Sequence, residues 1–147
     1  MKLHDIHHVA IKTQDLEATD RFYTDILGMS FADRPEFDFP GSWYNIGSTM
    51  VHIMAGYAGL DTQGKPTDGG ASVDHIALFA QGFDDYKKKF EAHDIEWRQF
   101  SIPPVKLWQL FVHDPNGVLI ELNFRTDQEP AGSVGPDDSR PYIAGTF

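Results

Sequence analysis

The 147-residue chain contains no cysteine and few basic residues. Without cysteine it forms neither disulfides nor thiolate metal sites, and a cytoplasmic location is the expectation. Lysine and arginine number 12 against 22 acidic residues, which gives a formal net charge of −10. Because nucleic acids and anionic membranes are bound through clustered positive charge, this composition argues against both as partners.

Long apolar stretches are also missing. No segment approaches the roughly 20 apolar residues that span a membrane. Residues 1–5 lack the apolar core of a signal peptide. The hydrophobic share of 41% is nevertheless ordinary for a globular protein, and the length suits one domain with an adequate core. These bounds predict a soluble single-domain protein.

A short motif occurs twice in the sequence. Residues 6–11 read Ile-His-His-Val-Ala-Ile, and residues 73–78 read Val-Asp-His-Ile-Ala-Leu. Both alternate as a half-buried strand does, so His8 shares a strand face with Ala10, and His75 shares one with Ala77. A histidine beside a small residue, backed by an aliphatic face, suggests the floor of a site.

The elements around this motif repeat with it. Leu16 and Phe83 lie 67 residues apart, as do His8 and His75. For the first half, residue patterns and turn signals predict a helix over 15–27 and strands over 5–13, 29–37, 42–46 and 49–55. A glycine-rich linker is predicted over 56–71. For the second half, the same signals predict a helix over 82–93 and strands over 72–80, 95–100, 107–112 and 118–124. The sequence therefore predicts an α+β fold of two tandem βαβββ modules.

The predicted domain organisation follows from these elements. Module one spans 4–55 and module two spans 72–125, and together they form a single domain over 4–125. Residues 126–147 form a C-terminal tail rich in Pro, Gly and Asp. Because the tail ends in apolar residues, we expect it to dock on its own chain or on a neighbour.

Equivalent strands of the two modules carry four candidate metal ligands. His8 and His52 lie in module one, and His75 and Glu121 lie in module two. If the modules pack around a pseudo-twofold axis, these side chains point into one cavity. Imidazole nitrogen and carboxylate oxygen suit Zn²⁺, Fe²⁺, Mn²⁺ or Ni²⁺. Aliphatic residues flank Glu121, where burying an unpaired carboxylate would be costly, and a bound metal ion would offset that cost.

Other histidines and aromatic residues have simpler interpretations. His7 is expected on the opposite strand face from His8, in a structural role. His4, His93 and His113 are expected at the surface or in loops. The aromatic residues near the candidate ligands are interpreted as core or pocket wall; they are Trp43, Tyr44, Trp108 and Phe111.

A third stretch completes a family pattern. The turn Asp114-Pro115-Asn116-Gly117 comes just before Glu121. With the two histidine motifs, it makes the chain resemble the vicinal oxygen chelate superfamily of glyoxalases, fosfomycin and bleomycin resistance proteins, epimerases and extradiol dioxygenases. The resemblance covers residues 4–125. It implies paired βαβββ modules that form a curved mixed sheet around a metal cup.

The resemblance also implies a ligand set and an assembly. It gives His8, His75 and Glu121 as metal ligands, and it places His52 where glyoxalase-like and epimerase-like members carry a fourth ligand. It implies a homodimer, with the cup formed within one chain or between two. The identity of the divalent metal, Zn, Fe, Mn or Ni, stays open.

The function predicted from this ligand set is lyase or isomerase chemistry of the glyoxalase type. A small substrate with two neighbouring oxygens would chelate the metal, which would stabilise an enediolate. His52 and Glu121 are the candidate catalytic residues, since proton transfer beside the carbonyl requires a base.

Two alternatives stay open from the sequence. Two histidines and a carboxylate also form the facial triad of Fe(II) oxygenases, but extradiol members usually carry a tyrosine on the strand before the Glu, and residues 107–112 contain none. A metal-free drug-binding resistance protein is the other alternative, although such relatives commonly lack the His/His/Glu set.

Overall fold

A computed structural model describes residues 6–69, 74–144 and 146–147. The chain divides into two compact units, residues 1–68 and residues 69–147. No helix in these described ranges is long and apolar enough to cross a membrane.

The first unit contains one helix and a four-stranded sheet. Its strands are β1 (His8–Lys12), β2 (Ser30–Phe31), β3 (Trp43–Ile46) and β4 (Thr49–Met54), and its helix α1 (Leu16–Arg21) continues through a π-helical turn at Phe22–Ile26. The sheet order is β1-β4-β3-β2, with β1 parallel to β4 and the other neighbours antiparallel. A 3₁₀ turn at Gly56–Gly59 follows the last strand.

The second unit has the same topology. Its strands are β5 (His75–Ala80), β6 (Trp97–Ile102), β7 (Leu107–His113) and β8 (Leu119–Arg125), with helix α2 (Phe83–Ala92) and a 3₁₀ turn at Pro103–Val105. The sheet order is β5-β8-β7-β6, again with one parallel pair, β5 and β8. The predicted α+β fold of tandem βαβββ modules is confirmed.

Local sequence signals set the ends of the first helix. The Asp15 side chain accepts a hydrogen bond from the backbone N–H of Ala18 at 2.9 Å, which satisfies one of the free donors of the first turn. Gly28 follows the π-helical turn with φ of +76°, a conformation that glycine adopts without steric cost. The predicted helix over 15–27 therefore exists, but its last turn is π-helical rather than α-helical.

Aromatic residues dominate the core of the second unit. Phe83 and Phe90 of α2 are fully buried, and Phe83 packs edge-on against Phe124 of β8 with ring centroids 5.2 Å apart. Burying each such side chain contributes about 1.5–3 kcal/mol. Helix α2 is thereby fixed on one face of its sheet, and the opposite face is left for other side chains.

Several predicted segments differ from the structure or extend beyond what it describes. The strand predicted over 29–37 is only Ser30–Phe31, because proline at position 35 has no N–H for a ladder. Position 5 of the first predicted strand and positions 72–73 of the fifth lie outside the described residues, as do positions 70–71 of the linker.

Candidate functional site

The first sheet stacks two of the predicted ligands against each other. β1 and β4 pair in parallel with Ala10 opposite His52. His8 and His52 therefore lie on one face, and their rings stack with centroids 4.1 Å apart and planes 12° apart. Trp43 pairs with His52 across β3 and β4, and its ring stacks on the other side of His52 at 3.9 Å. His52 is thus held between two rings.

The buried imidazole of His52 has a free ligand atom. Its residue is 8% exposed, and none of the described residues gives its Nε2 a hydrogen-bond partner. Burial lowers the pKa of His52, and the nearby imidazoles of His8 and His7 lower it further. His52 is therefore neutral at pH 7, which is the state in which imidazole binds a metal or accepts a proton.

His7 contacts His8, although strand alternation predicted it on the opposite face of the strand. Its Nδ1 lies 2.8 Å from Nδ1 of His8. When Nδ1 of His8 is the donor in this contact, Nε2 is the nitrogen that keeps its lone pair and can bind a metal ion. His7 therefore orients His8, instead of serving only the opposite face.

The second sheet brings the other two predicted ligands together. Glu121 lies opposite Ala77 on β5 and opposite Phe111 on β7. Nε2 of His75 lies 3.3 Å from Oε2 of Glu121. Glu121 is 8% exposed, whereas the His75 side chain is 35% exposed. The pair combines a buried carboxylate with a more accessible imidazole.

Two buried amides hold the Glu121 carboxylate. Nε2 of Gln109 donates to Oε1 of Glu121 at 2.8 Å, and Nδ2 of Asn123 donates to the same oxygen at 2.6 Å. Gln109 also donates to Oδ1 of Asn123 at 3.0 Å. Because Oε1 receives both amides, Oε2 is the oxygen directed toward His75. These hydrogen bonds stabilise the ionised carboxylate at a buried position.

Asp74 fixes the other nitrogen of His75. Its Oδ1 lies 2.7 Å from Nδ1 of His75. A carboxylate on one ring nitrogen orients the imidazole and selects the tautomer that leaves Nε2 free as a ligand. Asp74 occupies the same position in its module that His7 occupies in the first, directly before the candidate ligand.

Sequence reasoning missed Asp74, Gln109 and Asn123. Strand alternation could have indicated Gln109 and Asn123. Asn123 lies two residues after Glu121 on the same strand face, and Gln109 is its cross-strand partner. A polar pair on that face of an otherwise apolar sheet indicates a partner for a buried charge. Asp74 lies in the repeated motif itself, but strand alternation places neighbouring residues on opposite faces and so did not predict its contact with His75.

The donor atoms fit a divalent metal ion. Two ligands that each lie about 2.1 Å from a metal, at an angle of 90–110°, are about 3.0–3.4 Å apart. The separation of Nε2 of His75 from Oε2 of Glu121 falls in this range at 3.3 Å. The free, buried Nε2 of His52 fits the same role. The part of the chain that the structure describes contains no group of three or more His, Asp or Glu side chains that could hold a metal ion. Each unit brings together one pair of the candidate ligands.

Comparison with known proteins agrees with this arrangement of modules. The family model of the Glyoxalase/Bleomycin resistance protein/Dioxygenase superfamily matches residues 5–122. The chain belongs to this superfamily. The match ends within β8, and the last 25 residues of the chain lie outside the matched part.

Individual relatives in the superfamily are distant. The Arabidopsis thaliana protein named Glyoxylase I 4 is 25% identical over 125 residues, covering 83% of this chain and 71% of its own. The lactoylglutathione lyase of Agrobacterium tumefaciens is 21% identical with a TM-score of 0.62, over 84% of this chain and 95% of its own. The fosfomycin resistance protein FosX of Listeria monocytogenes is 18% identical with a TM-score of 0.65, over 84% and 94%. At these identities the two solved structures show the shared fold.

Proposed function

We propose that this protein is a divalent-metal-dependent enzyme of the glyoxalase type, acting on a small substrate that chelates the metal through two neighbouring oxygens. The metal ligands in this proposal are His8, His52, His75 and Glu121. The observation that carries it is the repeated geometry: each unit presents two donor side chains from equivalent strand positions. Superfamily membership, with enzymes such as lactoylglutathione lyase among its members, supports the proposal.

Both ligand pairs are needed in this proposal. Two protein ligands bind a divalent ion weakly, whereas catalytic sites typically have three protein ligands and keep a position open for water or substrate. The pair from the first unit and the pair from the second unit therefore bind one ion together, within one chain or between two copies. A site formed between two copies requires a dimer, and a homodimer is part of the proposal.

The chain's own residues prepare this site for ligation. Asp74 and His7 hold the Nδ1 atoms of His75 and His8. Gln109 and Asn123 hold Oε1 of Glu121, which leaves Oε2 available. A bound metal ion supplies Lewis-acid stabilisation of the negative charge that develops on the substrate oxygens.

Proton transfer beside the substrate carbonyl is assigned to His52 or Glu121. His52 is neutral at pH 7 because burial and its histidine neighbours lower its pKa. The Glu121 carboxylate keeps one oxygen, Oε2, that receives no amide hydrogen bond. Either group could accept a proton from the substrate only while it is released from the metal ion and faces the substrate.

Metal analysis followed by an activity screen tests the proposed function. Protein purified without chelator is analysed for divalent metals, then assayed with α-ketoaldehyde–thiol adducts, epimerisable thioesters, and catechols with O₂. We expect stoichiometric metal and turnover of one of the first two classes. Glu121→Gln lowers metal content, whereas Glu91→Gln, on an exposed part of α2, does not. Absence of metal, together with full metal-free ligand affinity in His8→Ala, would instead identify a binding protein.

A further inference from the structure

The tail, residues 126–147, is bound to its own unit on the helix side of the second sheet. The Glu129 carboxylate accepts hydrogen bonds from the backbone N–H groups of Gly82 at 3.0 Å and Phe83 at 2.7 Å, where α2 begins. The Asp84 carboxylate accepts in turn from the N–H of Val134 at 2.7 Å. Carboxylates at the start of a helix satisfy its free donors and complement its dipole. The first half of the tail is therefore fastened to the start of α2.

A close contact with the sheet follows. Gly135 has φ of +76°, and a Cβ atom at this position would lie 2.6 Å from the Trp108 ring. Trp108 lies on the α2 side of the sheet, where its ring contacts Phe83 at 5.5 Å. Only glycine lets the backbone approach the indole this closely. At residue 135 the tail is therefore still on the helix side.

The tail then crosses the edge of the sheet at β6. Asp137 pairs with Lys87 of α2 at 3.2 Å and accepts from Nε2 of the buried Gln99 at 2.8 Å. The backbone N–H of Gln99 donates to the carbonyl of Arg140 at 2.8 Å, and the N–H of Tyr142 donates to the carbonyl of Gln99 at 2.9 Å. Because β6 is an edge strand, these bonds pair its free side with the tail.

Beyond the edge, Tyr142 reaches the opposite face of the sheet. We call this the Glu121 face, defined by His75, Gln109, Phe111, Glu121 and Asn123. The Tyr142 ring stacks on Phe111 with centroids 3.6 Å apart and planes 7° apart. Phe111 is the direct cross-strand partner of Glu121, so the stack places the tyrosine beside the carboxylate. The tail thus runs from α2, around the sheet edge, to the candidate ligands.

The surroundings of the Tyr142 hydroxyl agree with this position. Burial raises the pKa of Tyr142, and the negative charges of Asp74 and Glu121 raise it further. The phenol is therefore neutral at physiological pH and acts as a hydrogen-bond donor. Phe147, at the end of the tail, packs against the second sheet as well. Its ring lies 4.7 Å from the His113 ring, and the Arg98 guanidinium lies over it at 4.6 Å.

We propose that Tyr142 is a substrate-contacting residue that selects oxygen-chelating substrates with a planar apolar substituent. Its ring packs on that substituent, and its hydroxyl donates a hydrogen bond to a substrate oxygen. The inference rests on the proposed function, because it needs a chelated substrate beside Glu121. Tyr142 would thus line the site, although it lies outside the residues matched by the superfamily model.

Hydroxamates that chelate through two oxygens test this inference without turnover. Benzohydroxamate and acetohydroxamate share the chelating group and differ in a phenyl or methyl substituent. Each is titrated into the Co²⁺-loaded full-length protein and followed by the Co²⁺ absorption bands. We expect the wild type to prefer benzohydroxamate by about tenfold, since an aromatic stack is worth up to about that factor.

Two substitutions at Tyr142 separate the ring from the hydroxyl. Tyr142→Ala abolishes the preference. Tyr142→Phe keeps it and weakens both hydroxamates about fivefold, because only the hydroxyl contact is lost. The matched control is Tyr57→Ala at an exposed tyrosine of the first unit, which leaves the preference unchanged.

Titration with Co²⁺ alone separates a failure of metal binding from a failure of the role proposed for Tyr142. All the variants bind Co²⁺ as the wild type does, and circular dichroism shows that they remain folded. Unchanged hydroxamate preference in a folded, Co²⁺-binding Tyr142→Ala protein would overturn the role of Tyr142 alone. Failure of the wild type to bind Co²⁺ would overturn the proposed function, and with it the inference that depends on it.

Discussion

His52 and Glu121 occupy the same position in two copies of one module. Each lies on the strand that comes last in its module along the chain, β4 for His52 and β8 for Glu121. Each pairs with an alanine of the parallel first strand of that module, Ala10 for His52 and Ala77 for Glu121. The candidate ligand His8 or His75 lies two residues before that alanine. An imidazole in one copy and a carboxylate in the other therefore occupy equivalent positions as candidate ligands.

Removing the carboxylate that orients His75 should weaken metal binding. Asp74→Ala leaves Nδ1 of His75 without its acceptor at 2.7 Å. We expect a loss of about 10–100-fold in metal affinity, as is typical when such a supporting partner is removed. Asp74→Asn keeps an acceptor oxygen and recovers most of the affinity, and Asp127→Ala is a surface control. Isothermal titration with Zn²⁺ checks this, and equal affinity in all four proteins would show that Asp74 plays no part.

Removing an amide from the Glu121 carboxylate should cost stability even without metal. Gln109→Leu deletes the donor to Oε1 of Glu121 and to Oδ1 of Asn123. A buried charged group that loses a hydrogen-bond donor costs about 1–3 kcal/mol. We expect the free energy of unfolding in urea to fall by that amount in the metal-free protein. Gln63→Leu, in an exposed loop, serves as the control. If Gln109→Leu unfolds at the wild-type midpoint, the amide network does not stabilise the carboxylate.

The hydrogen-bonded carboxylate of Asp137 in the tail should make stability depend on pH in the acid range. Hydrogen bonds from the Ser139 hydroxyl and N–H, followed by the hydrogen bond from Lys87, hold the pKa of Asp137 well below its usual range. The folded protein therefore binds fewer protons at Asp137 than the unfolded chain does. The stabilisation is fully present above the ordinary Asp pKa of about 3.9, and it is lost as the pH falls toward the folded pKa.

Asp137→Asn isolates this contribution. The difference in unfolding free energy between wild type and Asp137→Asn should be constant from pH 7 to about pH 5 and smaller at pH 3, since protonation then removes the wild-type advantage. Urea denaturation at each pH measures the difference. A gap that widened on acidification would reverse the sign expected from the lowered pKa.

A side chain at Gly135 should detach the tail from the sheet. In Gly135→Ala the new Cβ meets the Trp108 ring, and the residue is held at positive φ. We expect faster proteolytic cleavage within 126–147 and the same loss of hydroxamate preference as in Tyr142→Ala. Gly132→Ala is the matched control, because its φ is also positive and no atom lies within 4 Å of the added Cβ. Equal cleavage of the two variants would show that the Trp108 contact does not fasten the tail.

Local patterns predicted the repeated elements well because the signals are short-range. The Asp15 cap, the glycine after the first helix and the alternation around His8 and His75 are all readable within a few residues. The pairing of His8 with His52 and of His75 with Glu121 followed from equivalent strands. The convergence of all four on one metal ion stays a prediction.

Contacts that depend on distant parts of the chain could not be predicted in this way. The path of Tyr142 around β6 depends on Glu129, Gly135 and Asp137 each finding partners far away in sequence. Composition indicated only that the apolar end of the tail docks. The ring contact of His7 with His8 was not predicted either, because it joins neighbouring residues, which strand alternation places on opposite faces.

The most direct test of the account is the number of imidazoles bound to the metal, measured by X-ray absorption on the Zn²⁺-loaded protein. We predict three imidazoles and one carboxylate, and the loss of one imidazole in His8→Ala and also in His75→Ala. His93→Ala, at an exposed position, leaves the count unchanged. A spectrum with one imidazole or none, or one that is unaffected by the loss of His8 or His75, would contradict a metal ion shared by the two units.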